Sequence, residues 1–449
     1  MKISWARLFS DYGMVLVLLL LCGFFSVVTY SEQPLSGASA GHQVVRSLAS
    51  QIPRSGKIII AVRDQPDDLE YAGAVETAWN GAGGKVLGIA RGEPKDARAI
   101  LQRLADGRET LDAIVCTPAT ASWLVFNDVR ADFPVLGTPR LIRPGSYWWP
   151  NFLKSENLLN IANQIAVIAI VAIGMTMVIV TGGIDLSVGS LLALSAVLSS
   201  WAIRDQAGGV QASAAGMVLA CVFSILACGG VGAFSGAMIT RFGIPPFIVT
   251  LAMMLVGSGL AYLLAKGQSI YQIPDSFVWL GRGADLLHLP NAVVLMVVLY
   301  LLAHVFMSRM KWGRYVYAVG GNREAARLSG VPVERVLMLA YVVSGLLAGL
   351  GGVIMASQLK SGSPTYGNMY ELYVIAAVVV GGTSLSGGEG KIFGTLIGAF
   401  TIAVIQNGMN LTNVESYTQK VVLGMVILVA VLMDKWRSGS RIGSPLGHA

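Results

Sequence analysis

The sequence predicts an all-α polytopic membrane protein of about ten transmembrane helices, some of them broken, with a small α/β domain inserted after the first. Three observations carry this. The chain is 54% hydrophobic and only 13% charged, where a soluble domain carries about a quarter charged residues. Its apolar residues fall into long runs, many of a length suited to crossing a hydrocarbon core. Between residues 31 and 150 that pattern stops, and short apolar runs alternate with amphipathic stretches. The 53 glycines fit close helix packing in a bilayer. A net charge of +7 does not point to nucleic acid, because the basic residues collect in loops between apolar spans.

Residues 1–30 carry Lys2 and Arg7 and then the apolar run Met14 to Val28. This predicts a first transmembrane helix with a cytoplasmic N-terminus. A cleaved signal peptide is the alternative, since Ala38-Ser39-Ala40 has the small-x-small form, but that site lies about ten residues past the apolar run.

In residues 31–150, Lys57 to Val62, Lys85 to Ala90, Leu111 to Cys116 and Phe133 to Leu136 read as strands. Leu69 to Gly81, Asp96 to Ala105 and Ala119 to Val129 read as helices. The βαβαβ alternation predicts a parallel sheet covered on both faces. No G-x-G-x-x-G follows the first strand, so a dinucleotide site is not supported. The pattern of residues 31–150 resembles one lobe of a periplasmic sugar-binding protein, particularly in the segment Leu111 to Ala119.

From residue 151 to 436 the membrane character returns. Spans are expected near 159–181, 186–203, 214–236, 245–265, 291–308, 336–357, 372–388, 392–410 and 418–434. Tyr147, Trp148 and Trp149 sit where an interfacial aromatic belt would anchor the next helix. The basic loop with Arg309, Lys311, Arg314, Arg323, Arg327 and Arg335 is expected in the cytoplasm, as is the tail 437–449. That orientation puts 31–150 outside.

Two glycine-rich breaks interrupt this core. In the first, Gly182 and Gly183 end a helix after Thr181, and Asp185 is placed to cap the next through Ser187 or Val188. A charge at membrane depth is also a transport candidate, so cap and pathway roles both stand for Asp185. The second break is Gly381, Gly382, Thr383 and Ser384, and paired interruptions of this kind point to a translocation path. Tyr366, Glu371, Gln406, Asn407 and Asn410 supply polar groups that suit sugar hydroxyls, with interhelical bonding as their alternative role. Gly394 and Gly398 are spaced to let two backbones approach. The four cysteines and four histidines are scattered without metal-type or catalytic spacing.

Three segments resemble the membrane-spanning permease of ribose-type ABC sugar importers, a family that includes xylose and arabinose subunits. They are VTGGIDLSVGS from Val180, GRYVYAVGGNREAARLSG from Gly313 and IAAVVVGGTSLSGGEGKIFGTLIG from Ile375. The likeness runs from residue 150 to about 435, and residues 31–150 have no counterpart in it. It implies a bacterial inner-membrane protein importing a monosaccharide by alternating access, with a second permease copy, a cytoplasmic ABC ATPase, a periplasmic solute-binding protein and lipid as partners. It also implies that Gly321, Asn322, Arg323, Glu324, Ala325, Ala326, Arg327, Leu328 and Gly330 form the helix that docks on the ATPase, with Ala325 and Leu328 on one face. Leu385-Ser386-Gly387-Gly388-Glu389 looks like an ATPase signature, but the chain has no G-x-x-x-x-G-K-[ST] phosphate loop. No enzyme activity, cofactor or metal is therefore expected. Import of a nucleoside, a branched-chain amino acid or a signalling furanose, and a membrane receptor sensing through residues 31–150, are the rival readings.

Overall fold

A computed structural model describes residues 5–442; Lys2 and residues 443–449, His448 among them, lie outside the described residues. The chain forms two compact units, residues 30–150 and the remainder.

The larger unit begins with α1 (Trp5–Val28). The smaller unit then opens with β1 (Tyr30–Pro34) and α2 (Gly37–Gln51), followed by β2 (Lys57–Val62), α3 (Pro66–Gly81), β3 (Lys85–Arg91), α4 (Pro94–Asp106) and β4 (Ala113–Cys116). A four-residue α5 (Val129–Asp132), β5 (Arg140–Ile142) and β6 (Ser146–Pro150) complete it. Strands β3, β2, β4 and β5 lie in that order as a parallel sheet. β1 and β6 pair separately as an antiparallel ribbon, with Tyr30 stacked on Trp148.

Alternation along β2 divides the core of this unit. Ile58, Ile60 and Val62 join Val44 and Leu48 of α2 and Tyr71, Val75 and Trp79 of α3 on one face. Ile59 and Ala61 join Ala97, Leu101 and Leu104 of α4 on the other. Two sequence expectations fail here. The helix expected over Ala119 to Val129 is a pair of short 3-10 turns, Thr120–Ser122 and Leu124–Phe126, because Thr117 and Thr120 bond to each other and to nearby backbone instead of leaving it to helix. The strand expected at Phe133 to Leu136 is also a 3-10 turn, since Pro134 lacks the ladder N–H and Gly137 turns at φ +83°. The fourth strand comes four residues later.

The larger unit resumes with α6 (Ser155–Val180), α7 (Val188–Asp205), α8 (Ala214–Phe242), α9 (Pro246–Ala265), a four-residue α10 (Trp279–Arg282) and α11 (Asn291–Arg309). It continues with α12 (Lys311–Gly321), α13 (Arg323–Leu328), α14 (Val333–Leu359), α15 (Tyr370–Val380), α16 (Ile392–Leu411) and α17 (Ser416–Ile442). Six of them, α6, α8, α9, α11, α14 and α16, are long and apolar enough to cross a membrane. α6 is apolar on all sides and buried without interruption from Ile165 to Val180, as a helix surrounded by others must be.

α14 is the hub. Ser195 of α7 donates to the carbonyl of Gly349 at 2.6 Å, and Ser344 meets Asp185 just ahead of α7, so α7 runs parallel to α14. Gly174 of α6 packs on Ser344 and Asn163 meets Gln358, so α6 runs antiparallel to both. The first break is therefore the turn of a helical hairpin, where the sequence suggested one helix stopping and restarting. The span expected near 372–388 is also shorter than read: α15 ends at Val380, because Gly382 adopts φ +85°.

Candidate functional site

The predicted break residues and the predicted docking helix meet at one end of the bundle. α6 ends at Thr181, whose hydroxyl donates to the carbonyl of Val178 at 2.7 Å, and Gly182 turns the chain at φ +78°. Asp185 is buried and accepts from the Ser187 N–H at 3.0 Å, the Ser187 hydroxyl at 2.6 Å and the Ser344 hydroxyl at 2.7 Å. The cap position of α7 belongs to Ser187. Asp185 thus braces the turn from two residues upstream, and it ties the turn to α14, which no local pattern signalled.

The second break forms a matching hairpin. Gly381 lies against the backbone of Gly394, and Gly398 against that of Ala377, so close that a Cβ on Gly398 would sit 2.0 Å from the Ala377 oxygen. The expected backbone approach is thus between α15 and α16. Thr383 has a buried hydroxyl with no partner among the described residues, and Ser384 accepts the Gly387 N–H. The signature-like run is the tip of this turn, with Gly387 and Gly388 at φ +84° and +76°.

α12 and α13 lie across both turns. Gly388 donates its N–H to the Val180 carbonyl at 2.8 Å, and the Tyr317 hydroxyl donates to the Gly390 carbonyl at 2.8 Å. Arg323 reaches the Thr181 carbonyl at 3.4 Å. Gly320 is wedged in so tightly that a Cβ there would lie 1.7 Å from the Val180 oxygen, whereas one on Gly321 would meet nothing. Asn322 caps α13 by accepting from the Ala325 N–H at 2.9 Å, and Gly330 follows at φ +79°. The inward face of α13 is Ala326; Leu328 is 89% exposed, and Ala325 and Glu324 are exposed with it. Arg327 pairs with Glu334 at 2.8 Å.

The predicted pathway residues scatter. Asn407 exchanges two amide bonds with Asn157, at 2.8 and 3.0 Å, as an α16–α6 clasp. Asn410 accepts from Gln419 at 2.8 Å, and Tyr366 shares a hydrogen bond of 2.5 Å with Ser361. Glu371 is half-buried with its carboxylate against the backbone of Gly189. Gln406 lines a cavity of about 310 Å³, together with Gln164, Gln358 and Tyr370. Those three escaped the sequence reading because each belongs to a different helix.

This arrangement, a bundle of long apolar helices with a short polar helix seated on paired hairpin turns, is that of a membrane permease subunit. The chain belongs to the family described as "Branched-chain amino acid transport system / permease component", whose profile matches residues 157–431. It is 43% identical to the ribose import permease protein RbsC of Escherichia coli (strain K12) over 289 residues, 64% of this chain and 87% of that one. It is 34% identical to the D-allose transport system permease protein AlsC of the same strain over 284 residues (63% and 85%). It is 35% identical to the L-arabinose ABC transporter permease protein AraH of Azospirillum brasilense over 292 residues (65% and 84%). It is thus a multi-pass inner-membrane permease of the ribose, allose and arabinose type of ABC importer. No solved structure matches the chain.

Proposed function

We propose that the chain is the membrane-spanning subunit of an ATP-driven importer of a monosaccharide of the ribose, allose or arabinose class, working by alternating access. Two copies would enclose the pathway, with ATPase subunits in the cytoplasm and a solute-binding protein outside. The observation that carries the coupling is the contact of α12–α13 with the turns after α6 and α15, through Tyr317, Gly320 and Arg323. A pull on α13 reaches Thr181 through Arg323 and, through Tyr317 and Gly320 of α12, Gly390 and Val180, and through them the helices that converge on α14. The exposed Glu324, Ala325 and Leu328 are what an ATPase cleft would grip. The basic residues of this segment favour the cytoplasmic side.

In this reading ten helices lie in the membrane, α1, α6–α9, α11 and α14–α17, of which the short α15 spans only part of it, with both termini inside. Residues 30–150 then lie at the outer face, where a binding protein docks, and one lobe alone has no second wall to close on a sugar. Its proposed role is to hold the docked binding protein.

Uptake of labelled D-ribose, D-allose, L-arabinose and L-leucine into proteoliposomes holding the chain, its ATPase and its binding protein tests the reading. Leucine is included because the family description favours branched-chain amino acids as the second reading. ATP-dependent uptake of at least one sugar is expected, and uptake of leucine alone would overturn the sugar assignment. Replacing residues 35–145 with a short Gly/Ser linker is expected to weaken binding-protein affinity and to leave basal ATP hydrolysis intact.

A further inference from the structure

We infer that the outer cavity is a binding station for a neutral, hydroxyl-rich sugar, held by the side-chain amides of Gln164, Gln358 and Gln406 and the hydroxyl of Tyr370. The inference rests on the import reading and adds to it the chemistry that the pathway selects.

The cavity lies between α6, α14, α15 and α16, at the ends of those helices away from the docking segment. Along α6, Gln164 is separated from Val180 by roughly 24 Å at about 1.5 Å per residue. Its volume of about 310 Å³ is at the small end of the ligand-pocket range, roughly 300–1,000 Å³. Between cavity and junction the wall is closed. The hydroxyls of Thr176 and Thr395 join α6 to α16 at 2.8 Å, and the α6 residues around them are buried.

The lining has a definite chemical bias. An amide both donates and accepts, as a sugar hydroxyl does, so three amides match several hydroxyls in more than one orientation. Gln358 donates from Nε2 to the Asn163 backbone carbonyl at 3.1 Å and to the Asn163 side-chain oxygen at 3.4 Å, and its own oxygen accepts from no protein group among the described residues. Gln164 and Gln406 make no hydrogen bond to protein among the described residues, so their polar groups remain available. Ile165 and Met355 supply apolar surface for the C–H face of a ring. No Asp, Glu, Lys or Arg lines the cavity. A zwitterionic amino acid or a phosphorylated sugar would there be a partly desolvated charge without a counter-ion, which is strongly disfavoured. Two or three amide contacts without a closed lid also suit a station that passes its ligand on.

The test uses the full chain with its ATPase and binding protein in proteoliposomes, D-ribose as probe, and sugar moved per ATP hydrolysed as the readout. Gln406→Leu and Gln164→Leu keep the size of the side chain and remove the amide. Each is expected to lower the ratio several-fold, since the net worth of one hydrogen bond at a half-exposed site is about that factor, and Gln406→Asn by less. A ratio unchanged in both Leu variants overturns the inference, even if uptake and hydrolysis fall together. Failure of the import reading looks different, because it is seen in the unmodified chain. Uptake of L-leucine with none of D-ribose, D-allose or L-arabinose would overturn both.

Discussion

Gly388 donates its backbone N–H to the carbonyl of Val180 at 2.8 Å, and that bond joins the turns of two helical hairpins far apart in sequence. Val180 has just ended α6, so its carbonyl has no partner further along its own helix. The second turn supplies that partner, and Gly320 presses against the same oxygen from the docking segment. Three elements thus meet on one atom.

The first prediction uses the two adjacent glycines of α12. Gly320→Ala places a methyl group where it would lie 1.7 Å from the Val180 oxygen, whereas Gly321→Ala meets nothing. Gly320→Ala is expected to cost about 1–3 kcal/mol by overpacking and to abolish binding-protein-stimulated ATP hydrolysis. Gly321→Ala should be close to the unmodified protein in both. Equal behaviour of the two in a thermal-stability and ATPase comparison would disprove the wedge.

Asp185 accepts three hydrogen bonds and is buried. Asp185→Asn retains one acceptor for Ser187 and offers a donor to the Ser344 hydroxyl, which accepts as readily as it donates. It is therefore expected to keep most transport. Asp185→Ala strands the Ser187 N–H and the Ser344 hydroxyl, at a cost of about 1–3 kcal/mol. Transport rates at matched expression separate the roles, and an Asn variant as poor as Ala would show that the charge itself is used.

Leu328 is 89% exposed on a six-residue helix. Leu328→Glu should leave the melting temperature within about a degree, since exposed substitutions change stability little. Co-purification of the ATPase should fall sharply. Ala326→Asp is the opposite case: Ala326 is buried, so the damage falls on the fold of the segment. A Leu328→Glu protein that still holds its ATPase would remove α13 as the docking element.

Cys116 closes β4 in the smaller unit, and burial pushes its thiol up to about 12. The reactive thiolate is favoured above a thiol's pKa, and the ordinary value is near 8.5. At pH 8 folded Cys116 is thus almost entirely thiol and shielded. Iodoacetamide labelling mapped by peptide mass spectrometry should leave it unmodified at pH 8 in the folded chain and label it fully in denaturant. Rapid labelling of the folded protein at that pH would contradict the packing of the sheet.

Much of the smaller unit was legible because β2 to β4 are short apolar runs and α3 and α4 are separated from them by turn residues. α2 went unread, although Ala40, Val44 and Leu48 repeat at helical spacing. The turns after β4 were misread because Thr117, Thr120 and Pro134 decide the backbone through side-chain bonds and a missing donor, which a hydrophobic period does not register.

For the membrane unit, the sequence alone determined the class, the positions of most long helices and the family. Apolar length is a local property set by bilayer thickness, and three long motifs kept their order along the chain. Only the tertiary structure decided which residues work together. Asp185 reaches Ser344, Val180 reaches Gly388, and Gln164, Gln358, Tyr370 and Gln406 share a cavity, although each pair or set comes from separate segments. Helical periodicity reports which face of a helix is apolar. It carries no information on which neighbour that face meets, because the partner is chosen by packing among helices that all present similar apolar surfaces.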